Sequence, residues 1–233
     1  MNNNAVIEMA GLEKSYGAGR SKIRVLRGID MSVKRGEVIS VTGPSGTGKS
    51  TLLNLIGCLD NFEKGSLALK GRNVSNFSVD ELAAFRNRHI GFIFQLHNLL
   101  PEFTALENVM MPLFIRRSKT ASAKDAAMDI LNRFGLAERY SHKPGELSGG
   151  ECQRVAVARA IIGEPDIILA DEPTGSLDSK NSLNLIHTLI DLCREKERTA
   201  VIVTHDREIA SMADKIIYML DGVIVDTVSN SRD

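Results

Sequence analysis

Six short apolar runs, each bounded by polar or turn residues, predict β-strands along the chain. They span residues 25–33, 37–43, 89–95, 166–172, 199–205 and 215–222. Three of these runs contain the nearly continuous apolar stretches VISV, IILA and AVIV. Strands of this composition are typically buried on both faces, as strands of parallel sheets are. The pattern therefore predicts a mainly parallel sheet at the centre of the fold.

Helical stretches separate several of these predicted strands. They span residues 78–88, 124–135, 148–162 and 182–196. Strands that alternate with helices indicate an α/β fold. Residues 96–163 show little strand pattern and several helix signals, which predicts a helical insert. We therefore expect one domain over 1–233, with an α/β core formed by 1–95 and 164–233 and a helical subdomain at 96–163.

Composition and charge exclude several classes of protein. The 233 residues include 29 basic and 29 acidic side chains, so nothing favours broad nucleic-acid binding through a basic surface. No apolar run approaches the about 18 residues that a transmembrane helix needs, and the N-terminus does not resemble a signal peptide. We expect a cytoplasmic protein that reaches a membrane only through partners. Cys58, Cys152 and Cys193 form no CxxC pair, which favours reduced, structurally incidental thiols.

A phosphate-binding loop follows the second predicted strand. Residues 37–57 read EVISVTGPSGTGKSTLLNLIG, in which Gly43 to Ser50 fits the P-loop pattern GxxxxGK[ST]. The backbone N–H groups of such a loop and the helix N-terminus behind it attract phosphate. Lys49 would reach the β- and γ-phosphates of a nucleotide, and the Ser50 hydroxyl would bind Mg²⁺. The candidate nucleotide-binding residues of this loop are Gly43, Pro44, Ser45, Gly46, Thr47, Gly48, Lys49, Ser50 and Thr51.

Polar side chains also stand at the ends of three other predicted strands. Asp171 and Glu172 end the strand at 166–172; Asp171 would hold Mg²⁺, and Glu172 would accept a proton from an attacking water. Gln95 and His205 end two further strands. Ligand sites in open α/β sheets lie beyond the carboxyl ends of the strands. Together with the P-loop, these positions predict one convergent site.

The segment LSGGECQRVAVARA opens a predicted helix with two glycines. Ser148 and Glu151 have the spacing of a capping box, which accounts for a helix start at this point. A capping box does not account for Gly149 and Gly150, because glycine is a poor helix residue.

Taken together, these motifs resemble the ATP-binding subunit of ABC transporters, over nearly the whole chain. The resemblance implies a P-loop NTPase core, a small antiparallel β part at the N-terminus and ATP hydrolysis with Mg²⁺. In this family two ATPase domains pair head to tail, and the LSGG helix of one caps the nucleotide held by the other. Glycines let backbone N–H groups approach a phosphate closely. Ser148, Gly149 and Gly150 would thus bind the nucleotide of a second copy, with Ser148 divided between this role and helix capping.

The resemblance also implies roles for individual residues. Tyr16 would stack on adenine, the alternative being a partly buried aromatic at a strand end. Gln95 would contact Mg²⁺ and the attacking water and sense a membrane partner. Glu172 would be the catalytic base and His205 a residue near the γ-phosphate, while Lys49 would stabilise charge during the reaction. Residues 176–178 match a loop that crosses the dimer interface.

Two stretches indicate the branch of the family. Residues 96–113 (LHNLLPEFTALENVMMPL) and 52–60 (LLNLIGCLD) closely resemble the lipoprotein-releasing (LolD-type) branch, which includes MacB-like efflux and FtsE-like division ATPases. We therefore expect an ATPase subunit on the cytoplasmic face of the inner membrane, bound to integral membrane subunits and powering lipoprotein release. An efflux-pump or division ATPase is the alternative, and a non-transport ABC ATPase is disfavoured. A set of apolar residues would either contact a membrane subunit or pack in the core: Met110, Met111, Leu113 and Phe114.

Overall fold

The computed structural model describes residues 4–175 and 179–230. The strands are β1 Ala5–Tyr16, β2 Ile23–Lys34, β3 Val38–Thr42, β4 Lys64–Leu69, β5 Arg72–Asn73, β6 Ile90–Ile93, β7 Ile167–Asp171, β8 Thr199–Val203, β9 Lys215–Leu220 and β10 Val223–Ser229. The α-helices are α1 Lys49–Ile56, α2 Val79–His89, α3 Ala105–Ile115, α4 Thr120–Arg133, α5 Gly149–Ile161, α6 Ser179–Glu195 and α7 Arg207–Ser211.

A six-stranded sheet lies at the centre, in the order β10-β9-β3-β8-β7-β6. Strands β9, β3, β8, β7 and β6 are parallel, and β10 pairs antiparallel with β9 at one edge. The six apolar runs of the sequence correspond to β2, β3, β6, β7, β8 and β9. The predicted mainly parallel α/β fold is therefore confirmed.

Both faces of this sheet are buried. In β8, Ala200 and Ile202 pack into one hydrophobic cluster, while Val201 and Val203 pack into another, because successive side chains of a strand point to opposite faces. The first cluster includes side chains of α3, α4, α5, α6 and α7, and the second includes α1 and the antiparallel sheet. This two-sided burial explains why the central strands are mostly apolar.

The second sheet is antiparallel, in the order β2-β1-β4-β5. Three of its strands, β1, β4 and β5, have no counterpart among the apolar runs, and neither does β10. In β1 the register against β2 shifts several times, including between Met9 and Leu12. Gly11 lies at that bulge with φ +57°, and its N–H donates to Asp30 Oδ1 at 2.8 Å. Such bulges interrupt the apolar alternation by which a strand is detected.

Helices α3, α4 and α5 fall within the segment predicted as a helical insert, and the boundaries of that subdomain stay a prediction. Helix α3 contains Pro112, which disfavours a helix in the sequence. A capping box between Thr104 and Glu107 starts this helix, with the Thr104 N–H donating to Glu107 Oε2 at 2.8 Å. Within residues 4–175 and 179–230, no helix has the length and apolar character needed to cross a bilayer.

The three cysteines are buried and carry free thiols. Burial raises the pKa of Cys58 to about 11 and that of Cys193 to about 12, and it also raises the pKa of Cys152. A thiol reacts as its thiolate, so burial disfavours reaction of these side chains at neutral pH. This agrees with the reduced, structurally incidental thiols expected from the sequence.

Candidate active site

The loop between β3 and α1 is shaped by glycine. A Cβ atom on Gly43 would lie 2.1 Å from the carbonyl oxygen of Met219, so no other residue fits there. Gly48 is the N-cap of α1, with φ +98° and no side-chain group on the first N–H groups of the helix. Those N–H groups therefore remain available to an external acceptor, which is the arrangement that binds phosphate.

Lys49 begins α1 and folds back over the loop. Its ammonium donates to the carbonyl oxygens of Gly43 at 2.8 Å and Pro44 at 2.7 Å. The buried Thr47 donates its hydroxyl to the same Pro44 oxygen at 3.0 Å. The loop thus holds the cationic group at its own mouth.

A cavity of about 540 Å³ opens beside the loop, and it joins the ends of four strands. The structure brings most of the predicted site residues to its wall. The lining comprises Val25, Gly43, Ser45, Gly46, Gly48, Lys49, Ser50, Thr51, Gln95, Asp171, Glu172, Val203 and His205. The side chains from β6, β7 and β8 converge because these strands are adjacent and parallel, so their carboxyl ends share one edge.

Glu172 and His205 contact each other at this wall. Glu172 Oε2 lies 2.9 Å from His205 Nδ1, so the imidazole N–H donates to the carboxylate. Glu172 adopts φ +46°, and its N–H donates to Val203 O at 3.0 Å. A positive φ is uncommon for a residue other than glycine, and it turns this side chain out of the strand direction. The Glu172 side chain is 16% exposed and that of His205 78% exposed, so the histidine can move while the carboxylate is held.

Tyr16 lies outside the lining of the cavity but is linked to it through α1. Its hydroxyl donates to Asp60 Oδ2 at 2.7 Å and interacts with Thr51. Partial burial, and after it the Asp60 contact, raises the pKa of Tyr16. Lys14 lies 4.8 Å from the ring centre and 2.6 Å from Asp60 Oδ1. The ring is thus fixed yet 42% exposed.

Sequence reasoning missed the two residues that hold this ring. Lys14 is 8% exposed, and its ion pair with Asp60 spans 46 positions of the chain. The residues that neighbour Lys14 in the sequence do not indicate that it pairs with a distant aspartate. Asp60 does fall in the LLNLIGCLD stretch that indicates the branch of the family, and this was the only available pointer.

At the LSGG segment, the structure forms the expected capping box. The Glu151 N–H donates to Ser148 Oγ at 3.3 Å, and the Ser148 N–H donates to Glu151 Oε2 at 2.8 Å. Arg139 contacts the other carboxylate oxygen at 2.8 Å. The Ser148 bonds, with the Arg139 contact, lower the pKa of Glu151 to about 2, so it is ionised at neutral pH.

The glycines beside this capping box are not explained by the single chain. Gly149 and Gly150 are helical, and neither has a positive φ. Within the described part of the chain, they and Ser148 lie apart from the cavity at the P-loop. The segment 176–178, expected to cross a dimer interface, lies outside the described residues.

Comparison with known proteins identifies relatives over nearly the full length. The family model described as ABC transporter matches residues 26–175. The lipoprotein-releasing system ATP-binding protein LolD of Bacteroides fragilis (strain YCH46) is 54% identical, covering 94% of this chain and 100% of that protein. The LolD protein of Geobacter metallireducens is 49% identical, covering 95% of this chain and 99% of that protein.

Two solved structures are similar in fold as well as in sequence. One is a dimeric ATP-binding cassette in a post-hydrolysis state bound to ADP and Pi, with a TM-score of 0.90 and 40% identity over 96% of this chain and 98% of that chain. The other is a dimeric bacterial ABC transporter cassette, with a TM-score of 0.91 and the same identity and coverage. With a P-loop cavity built in the same fold, these matches show that the chain belongs to the ABC transporter family as an ATP-binding ATPase.

Proposed function

We propose that this protein is the ATPase subunit of an ABC complex that releases lipoproteins from a membrane. The single observation that carries the ATPase assignment is the cavity in which the P-loop, Gln95, Asp171, Glu172 and His205 meet. The full-length similarity to LolD proteins, at 49–54% identity in the two cases above, supports lipoprotein release as the work that is powered. No feature of the described residues favours the efflux or division alternatives.

The cavity wall suits a magnesium ion. Ser50, Gln95 and Asp171 present a hydroxyl, an amide and a carboxylate to the same space, and Mg²⁺ prefers such oxygen ligands. No group of three or more His, Cys, Asp or Glu residues suited to a metal occurs among the described residues. This fits an ion held by few protein ligands together with substrate phosphates. When bound, Mg²⁺ would neutralise charge on the β- and γ-phosphates.

The protein's own groups bind and orient the nucleotide. The N–H groups at the start of α1 donate to the phosphate oxygens, and Lys49 exchanges its carbonyl partners for phosphate oxygens. The exposed ring of Tyr16 stacks on adenine, held by the bond from its hydroxyl to Asp60. These contacts fix the γ-phosphate at the end of the cavity that Glu172 and His205 line.

Hydrolysis then requires a water in line with the γ-phosphate. Glu172 takes a proton from that water as its oxygen attacks phosphorus and the bond to the β-phosphate bridging oxygen breaks. Gln95 orients the water. His205, which holds the Glu172 carboxylate in this structure, is exposed enough to turn toward the γ-phosphate.

A second copy of the chain completes each site in this proposal. Gly149 and Gly150 open a helix whose N-terminus attracts anions, and the P-loop cavity that the described residues form does not include them. The two similar solved cassettes are both described as dimeric. The glycines of one copy would therefore approach the nucleotide on the P-loop of the other. Ser148 would keep its capping bond to Glu151 or exchange it for a phosphate.

An apolar groove of about 490 Å³ offers a surface for the membrane subunits. Its wall includes Leu59, Phe92, Phe94, Met111, Pro112 and Ile115. Ile115 is 65% exposed and Leu59 50% exposed, which is unusual for large apolar side chains that lie together. The four apolar residues for which the sequence left two roles open differ in position. Met111 lines the groove and Phe114 is exposed, whereas Met110 is buried in the core and Leu113 packs against it. Docking there would place the chain on the cytoplasmic face of the membrane.

Purification from membranes tests this function. We expect the tagged chain to co-purify with integral membrane subunits, and the complex in proteoliposomes to release a lipoprotein only when ATP is hydrolysed. Ile115→Asp should abolish co-purification because it puts a charge into the groove. The matched control Val225→Asp, at a 55% exposed position on β10, should not. Co-purification without ATP-dependent release, or release of a drug in its place, would contradict the lipoprotein assignment.

A further inference from the structure

Gln95 lies within a tight turn that follows β6. The His97 N–H donates to Phe94 O at 3.2 Å and closes this turn. His97 and Asn98 then adopt positive φ values of 54° and 48°. Two successive residues other than glycine rarely take this conformation, so surrounding contacts must hold it.

Helix α5 supplies those contacts. Arg159 donates from Nη1 to Asn98 O and from Nη2 to His97 O, each at 2.7 Å. Gln153, six residues earlier on the same helix, is hydrogen-bonded through its amide oxygen to His97 Nδ1 and is 1% exposed. Burial lowers the pKa of the Arg159 guanidinium, which is only partly accessible to water.

The segment beyond the turn is held by a different residue. The Leu100 N–H donates to Asn108 Oδ1 at 2.8 Å, and Asn108 Nδ2 donates to the carbonyls of Leu100, Phe103 and Thr104 at 3.0 Å each. Asn108 belongs to α3 and is fully buried. Arg159 and Gln153 therefore hold the Gln95 turn itself, whereas Asn108 holds the loop that follows.

We propose that Arg159 is a positioning residue for Gln95, assisted by Gln153 through His97. This rests on the role proposed above for Gln95 in orienting the attacking water. Helix α5 begins at Gly149, ten residues and about 15 Å from Arg159. The helix that presents the LSGG glycines to one nucleotide thus also holds the glutamine that serves the other.

Arg159→Lys tests the positioning role. Lysine keeps the charge but lacks the planar fork that bonds two carbonyls at once. We expect kcat for ATP hydrolysis to fall roughly tenfold, because a small displacement of a water-orienting group slows attack, while KM for ATP stays within about twofold. Arg116→Lys is the matched control: Arg116 bonds Gly163 O at 2.7 Å and Asn87 Oδ1 at 2.9 Å, and neither partner belongs to the Gln95 turn. Its kcat should be retained even if thermal stability falls.

A double-mutant cycle with Gln95→Ala identifies the route of the effect. If Arg159 acts through Gln95, Arg159→Lys lowers kcat in the wild type but has little further effect in the Gln95→Ala background. Equal losses in both backgrounds would overturn the inference and leave the proposed ATPase function standing. A Gln95→Ala variant with unchanged turnover would instead overturn the role of Gln95, and with it this inference. If Arg159→Lys does not fold, His97→Ala enters the same cycle with the same outcomes.

Discussion

Replacing Glu172 with glutamine is expected to slow ATP turnover by roughly 10²- to 10⁴-fold while ATP binding is retained. Glutamine keeps the shape of the side chain and an amide oxygen that can accept from His205 Nδ1, as the carboxylate does at 2.9 Å. It lacks the basicity needed to take a proton from water. ATP should therefore bind without being hydrolysed, so the dimer of two copies should accumulate in the presence of ATP. Turnover assays and size-exclusion chromatography with ATP measure both effects.

Glu208→Gln is the control for this substitution, because Glu208 is an exposed carboxylate in the first turn of α7, just after His205. Its turnover should match that of the wild type. If Glu172→Gln hydrolysed ATP at the normal rate, and remained monomeric with ATP, Glu172 would not be the base.

Lys49→Ala is expected to weaken ATP binding by roughly 10- to 100-fold, since a hydrogen bond to a charged group contributes about 1.5–3 kcal/mol. The Lys49 ammonium lies at the mouth of the loop, bonded to the carbonyls of Gly43 and Pro44. Phosphate oxygens are stronger partners for it than neutral carbonyls. Titration calorimetry with ATP measures the loss.

The control is Lys64→Ala, which removes a 74% exposed lysine whose ion pair with Glu13 measures 3.5 Å. A pair of this kind contributes little, so both ATP affinity and thermal stability should be preserved. Unaltered ATP affinity in Lys49→Ala would refute the phosphate-binding role of the P-loop.

The sequence was most informative where burial on both faces leaves a simple pattern. The runs in β3, β7 and β8 are nearly continuous in apolar residues because each side of the central sheet is covered. The residues at their carboxyl ends, Glu172 and His205, could be placed together because parallel strands end at one edge. The P-loop could also be located, because its pattern is formed by consecutive residues of the chain.

Features that depend on distant contacts were not predictable. Strand β1 was not predicted because the bulge at Gly11 interrupts its apolar alternation. Helix α3 was not predicted because it contains Pro112, although a capping box fixes its start. The contacts of Arg159 with the Gln95 turn join positions more than sixty residues apart. Nothing in the local sequence distinguishes this arginine from Arg154, the other arginine of α5.

The pairing of two copies is the central claim, and a complementation experiment tests it most directly. Two heterodimers, each purified through a different affinity tag on each chain, would be compared. In the first, one chain carries Gly149→Tyr and the other carries Lys49→Ala; in the second, one chain carries both substitutions and the other is wild type. If each site combines the P-loop of one copy with the LSGG helix of the other, separating the substitutions leaves one intact site. Placing both on one chain damages both sites. The account therefore predicts faster ATP hydrolysis by the dimer with separated substitutions; faster hydrolysis by the dimer with both on one chain would contradict it.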